Sequence, residues 1–168
     1  HIGICAMNRI NYRVPFITVV TDPVSIHRSW ICPETDLIIV ATPEAKRMCI
    51  EYGADKKNVE VIGLPIDPRF IHPGRKKNII LKEIGLMPNL FTVLLMGGGE
   101  GSGKMYGIVK ALNDAKINMQ LIVISGRNES LKLRLEKLTK NLVFPMKVYG
   151  FTNEVPDIMS ASDIIITK

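Results

Sequence analysis

The sequence predicts an α/β fold built on parallel sheets, and three observations carry that reading. Short apolar runs of strand length alternate with segments whose apolar residues fall at helical spacing. The runs are apolar throughout, as strands are when helices cover both faces of a parallel sheet. One run, residues 91–96, feeds directly into a loop with five glycines among residues 97–103, and an amphipathic segment carrying Ile108, Val109, Ala111 and Leu112 follows. That is strand, tight loop, helix.

In chain order, residues 1–13 carry no readable pattern. Residues 15–20 read as a buried strand ending at Thr21-Asp22-Pro23, and residues 25–30 as a loop or short turn. Residues 36–42 form a second apolar run. Thr42 is placed to cap a helix, with Pro43 at its first position and Glu44 on the positive end of its dipole. That helix is expected to run to about Tyr52, with Gly53 just past its end, and residues 59–62 give a third strand. Residues 63–74 are dense in Pro and Gly and read as a linker between domains, or else a surface loop. Residues 76–84 look helical, stopped by Gly85. Beyond it, strands are expected near 91–96, 119–124, 146–149 and 163–167, and helices near 103–116, 129–140 and 153–161. Residues 36–42 and 163–167 resemble each other. Two similar Rossmann-like halves show such an echo, and so do unrelated buried strands.

Composition is globular, with 46% hydrophobic and 23% charged residues. The length of 168 residues suits one domain or parts of two. The chain starts at His1 and stops just after an apolar run, so a piece of a longer protein is expected. The net charge of +6 is uneven. Residues 1–67 hold seven Lys and Arg against eight Asp and Glu, whereas residues 68–168 hold fifteen against eight. A basic half fits anionic ligands, an anionic membrane surface or nucleic acid, or is a solvated face. Aromatic residues, at 6%, do not interleave with the basic ones, which argues against a stacking platform for single strands. Cys5, Cys32 and Cys49 fit no zinc spacing and read as reduced thiols in a cytoplasmic protein. No apolar run approaches the roughly 20 residues that span a bilayer.

The glycine loop admits backbone N–H groups close to a ligand, with no Cβ in the way and a helix N-terminus behind them. A phosphate or diphosphate fits; a tight turn is the plain alternative. Three motifs compete. A P-loop matches from Gly98 to Lys104 but then places Met105, a thioether, where a hydroxyl must hold Mg²⁺. The dinucleotide fingerprint G-x-G-x-x-G fits in no register. The diphosphate loop of nucleotide-sugar transferases is not contradicted. Ligands of parallel sheets sit beyond the strands' carboxyl ends. Residues 97–104, 125–128 and 150–154 occupy that side.

Six blocks together resemble the glycolipid-forming members of glycosyltransferase family 28, the monogalactosyldiacylglycerol synthases and processive diacylglycerol glucosyltransferases. They are VTDPVSIHRSW at 20–30, DLIIVATPEAKRMCIEYG at 36–53, VEVIGLPIDPRF at 59–70, LLMGGGEGSG at 94–103, VISGRNESLKLRL at 123–135 and VYGFTNEVPDIMSASDIIITK at 148–168. The blocks keep the family's order and cover most of the chain. The resemblance implies a GT-B fold, in which two Rossmann-like domains with parallel sheets face a cleft. Residues 1–66 would be the last part of the acceptor-binding domain, and residues 67–168 the first half of the nucleotide-sugar-binding domain. The implied reaction is an inverting transfer of a hexosyl group from a UDP-sugar to diacylglycerol or a glycosyl-diacylglycerol. No tightly bound cofactor, no metal and no nucleic acid are implied. The implied place is cytoplasmic, peripheral on the cell membrane and against its anionic surface. The family's glycine-rich acceptor loop and its donor loop fall outside these residues, so this stretch alone is expected to be inactive.

The resemblance also assigns roles. Gly97, Gly98, Gly99, Gly101 and Ser102 match the loop that meets the diphosphate, where amides stabilise the charge developing on the leaving group. Phe151 and Thr152 match positions flanking the uracil, or else staple the following helix. Arg127, at a strand's carboxyl end, faces phosphate or solvent. Asp22 and His27 have the chemistry of a base for the acceptor hydroxyl, unless the base lies in a preceding segment. Asp67 stands where the family often carries Arg. The rival readings are a non-catalytic nucleotide-binding module with a degenerate P-loop, and a same-fold transferase for another lipid or a soluble acceptor.

Overall fold

A computed structural model of the chain describes residues 2–72, 74–99 and 104–167. Two compact units divide it, His1–Ile66 and Asp67–Lys168.

The first unit contains α1 (Ile2–Arg9), β1 (Ile17–Val19), β2 (Leu37–Val40), α2 (Pro43–Glu51) and β3 (Val59–Val61), with 3-10 turns at Arg28–Trp30 and Lys56–Asn58. Its three strands are parallel in the order β1-β2-β3. Ile38, Val40 and Val59 bury one face of the sheet with Ala45 and Cys49 of α2. Helix α2 starts where its cap chemistry predicts. The Thr42 hydroxyl accepts the Ala45 N–H at 3.1 Å, and Pro43 opens the helix. Gly53, at φ +101°, ends it in a conformation that favours glycine. The carboxylate of Asp36 accepts the Phe16 N–H at 2.8 Å and pairs with Arg13. These contacts hold it below the usual carboxylate range.

The second unit contains α3 (Lys77–Glu83), β4 (Thr92–Met96), α4 (Met105–Asp114), β5 (Gln120–Ile124), α5 (Glu129–Leu138), β6 (Met146–Tyr149), α6 (Val155–Ala161) and β7 (Ile164–Thr167). Its four parallel strands run in the order β6-β5-β4-β7. Strand direction explains the two-sided core. Val93, Leu95, Leu121 and Val123 pack with Met105, Val109, Leu131 and Leu135 of α4 and α5. The alternate residues Leu94, Ile122 and Ile124 pack with Ile80, Leu81, Ile158 and Ala161 of α3 and α6. The apolar β4 and β5 are therefore buried on both faces.

Two expectations are corrected. Residues 2–9, read as patternless, form α1; no acidic residue stands in its first turn. Apolar strands are not buried everywhere: Ile17 and Val19 of β1, and Ile164 and Ile165 of β7, are exposed. Both strands lie at a sheet edge with one neighbour. Asp163 anchors that edge. Its carboxylate accepts the Thr92 N–H at 2.8 Å and pairs with Lys77, which together lower its pKa.

Candidate functional site

The order β6-β5-β4-β7 reverses direction at β4, because β5 and β6 lie on one side of it and β7 on the other. The crevice at the carboxyl end of such a strand is where open parallel sheets take ligands. A pocket of about 320 Å³ occupies that place, between Met96 and Gly97, the start of α4 at Met105 and Ile108, and Ile166 and Thr167 of β7.

Gly97, Gly98 and Gly99 leave β4 toward α4. Gly98 has φ +75°, so the turn itself calls for glycine there. A Cβ built on Gly98 or Gly99 meets nothing within 4 Å among the described residues, and both residues are exposed. Among the described residues, the Gly98 and Gly99 amides make no hydrogen bond outside the strand ladder. Open space and unpaired N–H groups before a helix are what a phosphate oxygen needs. Gly101 and Ser102 lie outside the described residues. Met105 is 1% exposed and part of the hydrophobic core, so a metal-holding hydroxyl has no counterpart at that position of the P-loop match.

The loop after β5 packs directly on the glycine loop. The Arg127 N–H donates to the Gly99 carbonyl at 2.8 Å. The guanidinium of Arg127 lies 5.3 Å from the centroid of the Phe151 ring, a cation–π contact that joins the loops after β5 and β6. Phe151 is 63% exposed. The Thr152 hydroxyl accepts the Glu154 N–H at 3.1 Å and shapes the turn into that helix. Among the described residues the N–H groups of Phe151 and Thr152 have no internal partner. Gly97, Gly98, Gly99, Arg127, Phe151 and Thr152 therefore line consecutive strand ends of one sheet.

Two residues of the 125–128 loop were given no role of their own in the sequence reading. Ser125 is fully buried; its N–H and its hydroxyl both donate to the Tyr149 carbonyl, at 2.9 and 3.1 Å. Gly126 has φ +61° and lies beneath the carbonyls of Gly98 and Gly99. The signal available in sequence was a pair of small residues between a strand and Asn128, which caps α5 by accepting the Leu131 N–H at 3.0 Å.

Asp22 and His27 belong to the first unit, in the loop after β1. Asp22 is half-buried and lines a pocket of about 240 Å³ with Thr21, Trp30 and the end of β1. The Thr42 hydroxyl donates to the Pro23 carbonyl at 2.5 Å and holds this loop against the start of α2. His27 is exposed and caps the turn Arg28–Trp30: the Ser29 N–H donates to its Nδ1 at 3.2 Å. Nδ1 also lies 2.6 Å from the Ser29 hydroxyl, so the imidazole is tied into its own turn, whereas the Asp22 carboxylate lines the pocket beside β1.

Asp67 has a local role. It caps the turn Pro68–Phe70 by accepting the Arg69 N–H at 2.9 Å, and it pairs with the Arg69 guanidinium at 2.8 Å.

Residues 5–66 match the family model described as monogalactosyldiacylglycerol (MGDG) synthase. Over 163 residues the chain is 34% identical to monogalactosyldiacylglycerol synthase 1, chloroplastic, of Arabidopsis thaliana, which covers 93% of this chain and 30% of that protein. It is 36% identical over 166 residues to the Arabidopsis synthase 3, covering 95% of this chain and 35% of that protein. The chain thus spans about a third of the length of the curated relatives it matches. Among solved structures it is similar to Anabaena Alr3699/HepE in complex with UDP-glucose, with a TM-score of 0.59 at 17% identity over 98% of this chain and 49% of that one. The same protein in complex with UDP gives a TM-score of 0.55 at 16% identity. The shared fold is of GT-B type, with parts of two Rossmann-like domains.

Proposed function

We propose that this chain, which sequence similarity places with the monogalactosyldiacylglycerol synthases, is part of an inverting hexosyltransferase that uses a UDP-sugar. Its acceptor is diacylglycerol or a glycosyl-diacylglycerol, and its product a membrane glycolipid. Residues 67–168 belong to the nucleotide-sugar-binding domain, and residues 1–66 to the acceptor-binding domain. The enzyme works in the cytoplasm, peripherally on an anionic membrane; no described helix is long and apolar enough to cross one.

The observation that carries the donor half is the open glycine loop at the strand where the sheet order reverses. Its amides, with those of Gly101 and Ser102, bind the diphosphate and stabilise the charge that grows on UDP as the sugar leaves. Arg127, stacked on Phe151, adds a cation at the same strand ends. The unpaired N–H groups of Phe151 and Thr152 are suited to reading the uracil edge. On the acceptor side Asp22, which lines the pocket beside β1, takes the hydroxyl proton, with His27 as the alternative base in the same loop.

The test uses the full-length protein and Gly99→Val. Gly98→Val carries a backbone penalty at φ +75°, whereas Gly99 has no positive φ and open space around its Cβ position. A side chain at Gly99 is expected to leave the apo unfolding temperature unchanged and to weaken UDP binding at least about tenfold, or roughly 1.4 kcal/mol. Equal UDP affinity in the two proteins would show that the loop is only a turn. Binding of ATP with Mg²⁺ and none of UDP would overturn the transferase reading in favour of a nucleotide-binding module.

A further inference from the structure

We propose that Gly126 is a positioning residue: a seat without a side chain on which the glycine loop rests, so that its amides face ligand instead of protein. The inference rests on the diphosphate reading of that loop. A Cβ built on Gly126 falls 2.4 Å from the Gly99 carbonyl oxygen, 2.7 Å from the Gly98 oxygen and 2.8 Å from the Gly99 carbonyl carbon. All three are backbone atoms, which cannot swing aside as a side-chain tip does. Gly98 and Gly99 therefore direct their carbonyls down onto Gly126, and the Arg127 N–H clamps the Gly99 carbonyl at 2.8 Å. With its carbonyls engaged below, the loop is held with the Gly98 and Gly99 amides unpaired.

The seat is itself fixed. Ser125, immediately before it, is buried and doubly bonded to the Tyr149 carbonyl. Asn128, two residues after it, caps α5. Next along the sheet, a Cβ on Gly150 would lie 3.6 Å from the Gly126 carbonyl oxygen and closer only to the flexible ends of Glu129 and Lys132. The loops after β4, β5 and β6 thus meet through glycine backbones, and of Gly98, Gly99, Gly126 and Gly150 it is Gly126 that backbone atoms close to a side chain.

Gly126→Ala in the full-length protein tests this, with Gly85→Ala as its control. Gly85 also has a positive φ, at +80°, but its Cβ position is open within 4 Å, and it lies before β4, at the sheet's other end. Both variants bear the left-handed backbone penalty; only Gly126→Ala displaces the loop. Calorimetric UDP affinity is expected to fall about tenfold or more in Gly126→Ala and to stay at the wild-type value in Gly85→Ala. Unchanged UDP affinity in Gly126→Ala, while Gly99→Val still weakens it, overturns the seat and leaves the diphosphate reading intact. A wild-type protein that does not bind UDP overturns both. Should Gly126→Ala not fold, amide exchange in the wild type decides. UDP is expected to slow the Arg127 amide, which donates to the Gly99 carbonyl; protection of residues 97–99 with no change at Arg127 overturns the seat.

Discussion

Asp22 and His27, five positions apart, are equal candidates in sequence and differ in three dimensions. Nδ1 of His27 is engaged by the N–H and hydroxyl of Ser29, whereas the Asp22 carboxylate lines a pocket. If the base of the proposed transfer lies in these residues, Asp22 is that base. In full-length enzyme, Asp22→Asn is expected to lower kcat about 100-fold or more, and His27→Gln less than about tenfold. UDP affinity should be unchanged in both. Steady-state kinetics with a diacylglycerol acceptor check it; full turnover in Asp22→Asn assigns the base to another segment of the longer protein. Which of the two lines a pocket depends on how the loop after β1 folds, which no motif records.

At the scale of elements, legibility followed the amount of local chemistry. Helix α2 was readable because Thr42, Pro43 and Glu44 each act within a few residues of its start. Helix α1 has no acidic residue in its first turn and was missed. Thr42 also shows where local reading stops: its hydroxyl accepts from Ala45 and donates to the Pro23 carbonyl, nineteen residues back. Thr42→Ala should therefore cost about 1 kcal/mol as a lost cap. It should also loosen the loop that carries Asp22. Thermal unfolding measures the first effect. Faster amide exchange over residues 21–27 than in wild type measures the second, and exchange at the wild-type rate there would remove the tie between cap and loop. Strands β4 and β5 were readable for another reason: buried on both faces, they are apolar beyond their first residues, Thr92 and Gln120, whose buried side chains bond each other. The exposure of Ile17 and Ile164 was not readable, since whether a strand has one neighbour or two depends on the whole sheet.

Across the whole molecule, charge is the property that composition exposes most directly. The excess of basic residues lies in residues 68–168, while residues 1–67 are close to balance. A proposed enzyme of membrane lipids has use for such a surface, because anionic headgroups attract clustered Lys and Arg. Full-length protein is expected to co-sediment with vesicles of phosphatidylcholine mixed with an anionic phospholipid, and weakly with phosphatidylcholine alone. Binding should fall as salt rises, since the Debye length shrinks from about 10 Å at 0.1 M to about 3 Å at 1 M. Salt-independent binding of equal strength to both vesicles would assign the attachment to apolar burial.

By itself the sequence determined the α/β class, the order of strands and helices from residue 15 onward, and a glycine-rich loop between β4 and α4. Those properties depend on spacing, caps and turn residues that act within one element. The tertiary structure alone decided that β7 crosses to the far side of β4, which puts the glycine loop where the sheet order reverses. It alone placed Gly126 beneath Gly98 and Gly99, some 27 residues away in sequence and in backbone contact. It alone set the Arg127 guanidinium against Phe151. Each of these joins the ends of different strands. Strand ends meet through the pairing of a sheet, which is a property of the whole fold and leaves no pattern in any one stretch of sequence.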